Sequence, residues 1–216
     1  MERDSGNPQF VPRRVVGEEL TSRLYGVEIE LDYDCEDADY AEALAEIDSE
    51  DWHAKADGSL SDNGIECVSQ PASLLWWQSK DWTSNALPLE LDSNWQPTHK
   101  CGMHIHAQCP TELLPDVWRI WNSCPPGHEG QYMALSKRTS YGQMNQYANP
   151  QVIREPGQVP TRVRHAYNVK YRACRLTPEG IEVRIFGSTR AADTIVTNIT
   201  LVALSIRFAK QIRNFR

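Results

Sequence analysis

Tyr25-Gly26-Val27-Glu28-Ile29-Glu30-Leu31 alternates apolar and acidic residues along its length. Successive side chains of a β-strand point to opposite faces, so Val27, Ile29 and Leu31 share one face and Glu28 and Glu30 the other. Gly64-Ile65-Glu66-Cys67-Val68 repeats the pattern around a single glutamate. Cys101-Gly102-Met103-His104-Ile105-His106-Ala107 sets Met103 and Ile105 against His104 and His106. Ile181-Glu182-Val183-Arg184-Ile185-Phe186 sets Ile181, Val183 and Ile185 against Glu182 and Arg184. One sheet built from these strands has an apolar face and a face crowded with carboxylates, imidazoles and a guanidinium. Like charges on a shared sheet face repel unless something cationic sits among them, so the crowding implies a metal.

Outward from these strands, the signals alternate between the two kinds of element. The first strand is predicted over 24–33, and strong helix formers with an apolar stripe predict a short helix over 39–47. Residues 52–56 read as a strand, and Asn63-Gly64 favours a hairpin into the strand 65–69, which Pro71 ends. Trp76, Trp77, Trp82 and Trp95 read as core rather than as a stacking platform. A strand over 101–108 stops at Pro110, before a helical segment from Thr111 to Trp121. Residues 150–161 carry three prolines and a glycine and read as a loop before an alternating strand, 162–172. Thr177-Pro178-Glu179-Gly180 reads as a turn into 181–186, and the apolar spacing from Asp193 to Arg213 predicts a last helix with Asp193 as N-cap. Mixed strands and helices joined by hairpins predict an α+β fold: one antiparallel-rich sheet, polar on its active-site face, with helices packed on the other. Residues 1–20 read as a flexible leader and 21–216 as one catalytic domain.

Composition narrows the class. A chain of 216 residues suffices for one domain with a sizeable core. The mean hydropathy of −0.55 argues against membrane residence, and no apolar run in the sequence approaches the ~20 residues of a membrane span. The polar N-terminus carries no secretion signal, so a cytoplasmic location is expected. Cys35, Cys67, Cys101, Cys109, Cys124 and Cys174 include no C-x-x-C pair, which favours reduced thiols. A net charge of −7 disfavours nucleic-acid binding. That charge is uneven. The stretch from Glu28 to Asp51 is acidic, whereas Arg162, Arg164, Arg172, Arg175 and Arg184 form an arginine-rich stretch suited to an anion such as a polyphosphate.

Glutamates on neighbouring strands suit a hard cation such as magnesium or manganese, with nucleotide phosphates completing its shell. His104-x-His106 with Glu66 also suits zinc or iron, which would make the protein a metal-dependent hydrolase or oxygenase. No Walker-type loop, dinucleotide fingerprint or nucleophile elbow is present in the sequence. Cys101 and His104 point to opposite faces of an extended strand, which counts against a catalytic dyad.

Taken in order, these segments resemble the amidoligase family of the glutamine synthetase and glutamate–cysteine ligase superfamily. The resemblance runs from Tyr25–Glu30 through Lys55–Leu60, Gly64–Pro71, Cys101–His106, Lys137-Arg138 with Tyr147, and Arg164 with Asn168, to Ile181–Phe186. It implies a glutamine synthetase-like catalytic sheet and a ligase that uses ATP and magnesium, or manganese in its place. The substrates would be a small-molecule or peptide carboxylate and an amine donor. By this resemblance Glu28, Glu30, Glu66, Glu182 and His104 hold the metal, and His106 acts as a further ligand or a phosphate contact in catalysis. Arg164 and Arg184 neutralise the transferred phosphoryl group. Arg162, Asn168 and Lys170 contact the nucleotide, and Asp57 and Ser59 lie near the substrate. A non-catalytic binding protein on the same fold is the further alternative.

Overall fold

The protein is described from a computed structural model over residues 10–33, 47, 49–56, 60, 64–82, 95–123, 134 and 172–215. Among these residues the frame is an open, eight-stranded antiparallel sheet with helices, an α+β fold. The strands are β1 (Leu24–Tyr33), β2 (Trp52–Ala56), β3 (Gly64–Ser69), β4 (Ala72–Ser73), β5 (Trp95–Gln96), β6 (Gly102–Gln108), β7 (Cys174–Thr177) and β8 (Gly180–Gly187). The helices are α1 (Leu74–Ser79), α2 (Leu114–Asn122), preceded by a 3-10 turn over Thr111–Leu113, and α3 (Ala192–Asn214). Across the sheet the order is β2-β3-β1-β6-β8-β7, with β4 and β5 paired to β1.

The four alternating segments thus lie side by side, and their register aligns the polar residues. Glu30 stands opposite Glu66, which stands opposite Lys55. Glu28 pairs with His104, and His106 with Glu182, which in turn faces Arg175. On the other face Val27, Ile29, Leu31, Ile65, Met103, Ile105, Ile181 and Val183 are fully buried or nearly so. Burying each such side chain contributes about 1.5–3 kcal/mol, which is why the apolar parity dictates which way the sheet faces. α2 packs on β7 and β8, and α3 on β6, α1 and α2. Ile195, Ile199, Val202, Ile206 and Ala209 form the buried stripe of α3.

α3 is long and apolar enough, by length and composition, to cross a membrane, which the expectation of no membrane-length apolar segment did not anticipate. Part of that apolar character is the buried stripe, which belongs to the core cluster, whereas Leu204 and Phe208 of the same helix are exposed. Asp193 does not cap this helix: Ala191 is the N-cap, without a side-chain bond, and Asp193 lies in the first turn. There its charge still complements the helix dipole. At α1, by contrast, Ser73 accepts the Trp76 N–H at 3.1 Å.

The alternation of β8 breaks after Ile185. Strict parity would carry Phe186 to the polar face, yet Phe186 pairs with Met103 and is fully buried. A register shift between Met103 and Ile105 places one extra β8 residue against His104, so Ile185 and Phe186 both enter the core. Phe186 meets Trp121 edge-to-face at 5.8 Å. Of the tryptophans expected in the core, Trp77 and Trp95 are buried in it and Trp76 and Trp82 pack half-buried against it; Trp77 donates to the Tyr25 carbonyl at 3.1 Å. Residues 10–13, within the expected leader, run beside β4, with the Arg13 N–H on the Pro71 carbonyl at 2.9 Å. Cys67, Cys101, Cys109 and Cys174 are free and buried. The predicted strand 162–172, except Arg172, and the predicted helix 39–47, except Ile47, lie outside the described residues.

At the β7–β8 turn, a Cβ on Gly180 would lie 2.2 Å from the Ala107 carbonyl oxygen and 2.6 Å from the Cys109 nitrogen. Both obstacles are backbone and cannot rotate away. Gly180→Ala therefore forces β8 off the end of β6 and should cost about 2–4 kcal/mol in chemical denaturation. Stability equal to the parent protein would show that this end of the sheet is not held as described.

Candidate functional site

The polar face gathers Glu28 and Glu30 from β1, Glu66 from β3, His104 and His106 from β6, and Glu182 and Arg184 from β8. Every predicted site residue that falls among the described residues is on this face. Asp57, Ser59, Arg162, Arg164, Asn168 and Lys170 lie outside the described residues.

His104 is the hub. Its Nδ1 lies 3.0 Å from Glu28 Oε2 and 3.9 Å from Glu182 Oε1, and its Nε2 lies 3.6 Å from Glu30 Oε1. Burial pushes the His104 imidazole down to about 4; Glu28 opposes that shift and the charge of Arg184 adds to it. The ring is therefore neutral at physiological pH, the form able to offer a lone pair. His106 is more exposed, with Nε2 at 2.9 Å from Glu28 Oε1. Burial alone would raise the Glu28 carboxyl, but the two histidines outweigh it and hold the group well below the usual carboxylate range. Glu30 is fixed from the backbone, its Oε2 accepting the Gly102 N–H at 2.5 Å.

Glu182 is wholly buried and ionically bonded on both oxygens: Arg184 donates to Oε1 and Arg175 to Oε2. Burying a charge is costly unless it is paired, and here each oxygen has a guanidinium partner. Sequence reading placed Arg175 only in the arginine-rich stretch suited to an anion and did not pair it with Glu182. A signal for it exists: the turn Thr177–Gly180 needs a strand before it, and that hairpin register puts Arg175 opposite Glu182.

Glu66 behaves differently. Burial and then the nearby charge of Glu28 push its carboxyl up to about 7, although Lys55 Nζ stands 3.2 Å from its Oε2. Lys55 is mostly exposed, so water screens much of its attraction.

Glu28, His106 and Glu182 each offer a ligand atom, all within 4.8 Å of one another, a grouping able to hold a metal ion. Their chemistry fits a divalent cation. Two carboxylates and an imidazole supply hard oxygens and one nitrogen, a donor set that magnesium or manganese accepts and that zinc also tolerates. Although Arg175 and Arg184 occupy Glu182, each carboxylate oxygen retains a further lone pair. The thiols are poor candidates for chemistry: burial raises Cys101 to about 11 and Cys67 higher still.

No protein-family model matches the chain, and no curated protein matches it in sequence.

The raised Glu66 carboxyl has a consequence for stability. A group whose folded pKa exceeds its unfolded value favours the folded state at low pH, and that contribution is lost as pH rises through the folded value. In metal-free buffer with EDTA, the parent protein should weaken between about pH 5 and pH 8 by on the order of 2 kcal/mol at this site. Glu66→Gln should flatten that limb, melting above the parent at pH 8 and closer to it at pH 5. Parallel melting curves for the two proteins across that range would contradict the assignment.

Proposed function

We propose that this face is the active site of an ATP-dependent carboxylate–amine ligase, built on a glutamine synthetase-like catalytic sheet. One observation carries the reading. Carboxylates from separate strands converge with two imidazoles and a pair of guanidiniums on one face of an antiparallel sheet. Such a face can hold a divalent cation and a polyphosphate side by side, which phosphoryl transfer to a carboxylate requires. The order of the motifs along the chain, from Tyr25–Glu30 to Ile181–Phe186, points to the same family.

In this reading Glu28, Glu182 and His106 would hold magnesium or manganese, with His104 bracing Glu28, and Glu30 and Glu66 beside them. The bound ion would neutralise phosphate charge. The substrate carboxylate attacks the γ-phosphorus of ATP, the bond to the bridging oxygen breaks, and ADP leaves. An amine lone pair then forms the C–N bond as the acyl C–O bond breaks. Inorganic phosphate departs with the electron pair, and the surplus proton of the amine goes to water. Arg184 stabilises charge that grows on the phosphoryl oxygens, and Arg175 holds Glu182 so that the Arg184 guanidinium is correctly placed.

A metal-dependent hydrolase or oxygenase is the second reading, favoured by the mixed nitrogen and oxygen donors of Glu28, His106 and Glu182. Metal content separates the two. Tightly retained zinc or iron, with no ATP-dependent rise in melting temperature, supports the second.

Two experiments test the ligase. Glu28→Gln with Glu30→Gln preserves the shapes of both side chains and, with the parent circular dichroism spectrum retained, should lose the magnesium-dependent binding of a non-hydrolysable ATP analogue. Unchanged nucleotide affinity would remove the metal assignment. Arg184→Ala should slow ATP turnover ~10²–10³-fold, equivalent to ~3–4 kcal/mol of transition-state stabilisation, with a smaller loss in ATP binding. Arg184→Lys should recover only part, because it restores the charge without the forked donors. Parent-like turnover in Arg184→Ala, with an unchanged circular dichroism spectrum, would reduce Arg184 to scaffolding for Glu182.

A further inference from the structure

A cavity of about 530 Å³ opens at the edge of the polar face, where β1 begins and β6 ends. Phe10, Leu24, Val68, Pro71 and Ile181 give it apolar walls. Its ionisable lining among the described residues consists of Glu28, His106 and Glu179; no lysine or arginine is among them. Glu28 and His106 belong to the candidate metal group, so the cavity adjoins the reacting centre. Glu179 lies exposed in the β7–β8 turn.

Gly26 keeps this space open. It stands opposite His106 in the register, and a Cβ built on it would find nothing nearer than the His106 Cβ at 3.9 Å. No backbone need forces glycine here, because its backbone is ordinary strand. A larger side chain would fill the cavity rather than strain the chain.

We propose that this cavity binds the amine donor of the ligase, a primary amine carried on an apolar aliphatic or aromatic body. The proposal rests on the ligase reading for the role of the amine, but not for the fact of binding. The body fills the space between Phe10, Leu24 and Pro71, and the ammonium faces Glu28. Charge complementarity makes the choice. A carboxylate or phosphate would enter a cavity whose described lining offers acidic groups and no cation, whereas an ammonium is attracted by both glutamates. The described lining thus disfavours the other substrate, the carboxylate, which the ligase reading places on the arginine side of the face at Arg175 and Arg184.

The test uses the full chain without nucleotide or metal, titrated by calorimetry with phenethylamine, 2-phenylethanol and 3-phenylpropionate. These share a ring and differ in the charge of the head. Phenethylamine should bind at least tenfold more tightly than the alcohol, and the carboxylate more weakly than either. Gly26→Val should weaken amine binding tenfold or more by occupying the cavity. Glu179→Gln, a change in an exposed turn that leaves the melting temperature intact, should weaken it several-fold. Equal affinity for the alcohol, or amine binding unaffected by both substitutions, overturns the proposal. Failure of the ligase reading looks different: amine binding then follows the expected order, yet no amine–carboxylate pair elicits magnesium-dependent phosphate release from ATP. Magnesium-dependent turnover without any preference for apolar amines has the opposite meaning, overturning the cavity assignment and leaving the ligase standing.

Discussion

The Glu182 carboxyl group is buried without any exposure, and Arg175 and Arg184 each bond one of its two oxygens. That constraint organises the polar face. It draws Arg184 inward to where its charge helps keep His104 neutral. It ties β7 to β8 through a side-chain contact as well as the ladder. It also brings a fixed anion within reach of Glu28 and His106, which makes a cation site there electrostatically reasonable. Removing one guanidinium would leave the other holding a half-satisfied buried charge, so the three residues act as a unit.

The opposite face explains why such a costly arrangement is tolerated. Fully buried aliphatic residues from four adjacent strands pack with α2 and α3, and each contributes stability that is indifferent to what lies across the sheet. A two-faced sheet can therefore hold crowded carboxylates that are unfavourable by themselves. The raised Glu66 carboxyl and the depressed Glu28 carboxyl show the tension that remains, with one proton more readily held where two glutamates meet. Unfavourable charge gathered at one place on an otherwise well-packed scaffold is what a binding or catalytic site would be expected to show.

Much of this was legible in the residues because the β period is short and rigid. Alternation at Val27–Leu31, Met103–Ala107 and Ile181–Ile185 identifies the faces with no knowledge of pairing, and Glu28, Glu30, Glu66, His104, His106, Glu182 and Arg184 follow from parity alone. The turn Thr177–Gly180 and the helical spacing after Asp193 were likewise local signals. Local rules failed where a tertiary contact overrode them. Phe186 departs from parity because the shift opposite His104 inserts an extra residue, and a bulge has no sequence mark when no glycine forms it. Asp193 resembles a cap, but the helix starts one residue before it. α3 carries the length and hydropathy of a membrane span, with a buried stripe on the core and exposed Leu204 and Phe208 beside it.

By itself, the sequence determined the two faces of the strands, the antiparallel α+β class and the residue types of the candidate site, since these depend on periodicity and side-chain chemistry within a few residues. Only the tertiary structure decided the strand order β2-β3-β1-β6-β8-β7, which sets Glu28 beside His104 and His106 beside Glu182. It alone brought Arg175 onto Glu182 and left open the space beside Gly26. The physical reason is that pairing partners far apart in the chain are chosen by the sum of core packing and ladder bonding over the whole sheet. No single segment carries that sum, so the distances between charged groups, and hence their ionisation, arise only once the sheet is assembled.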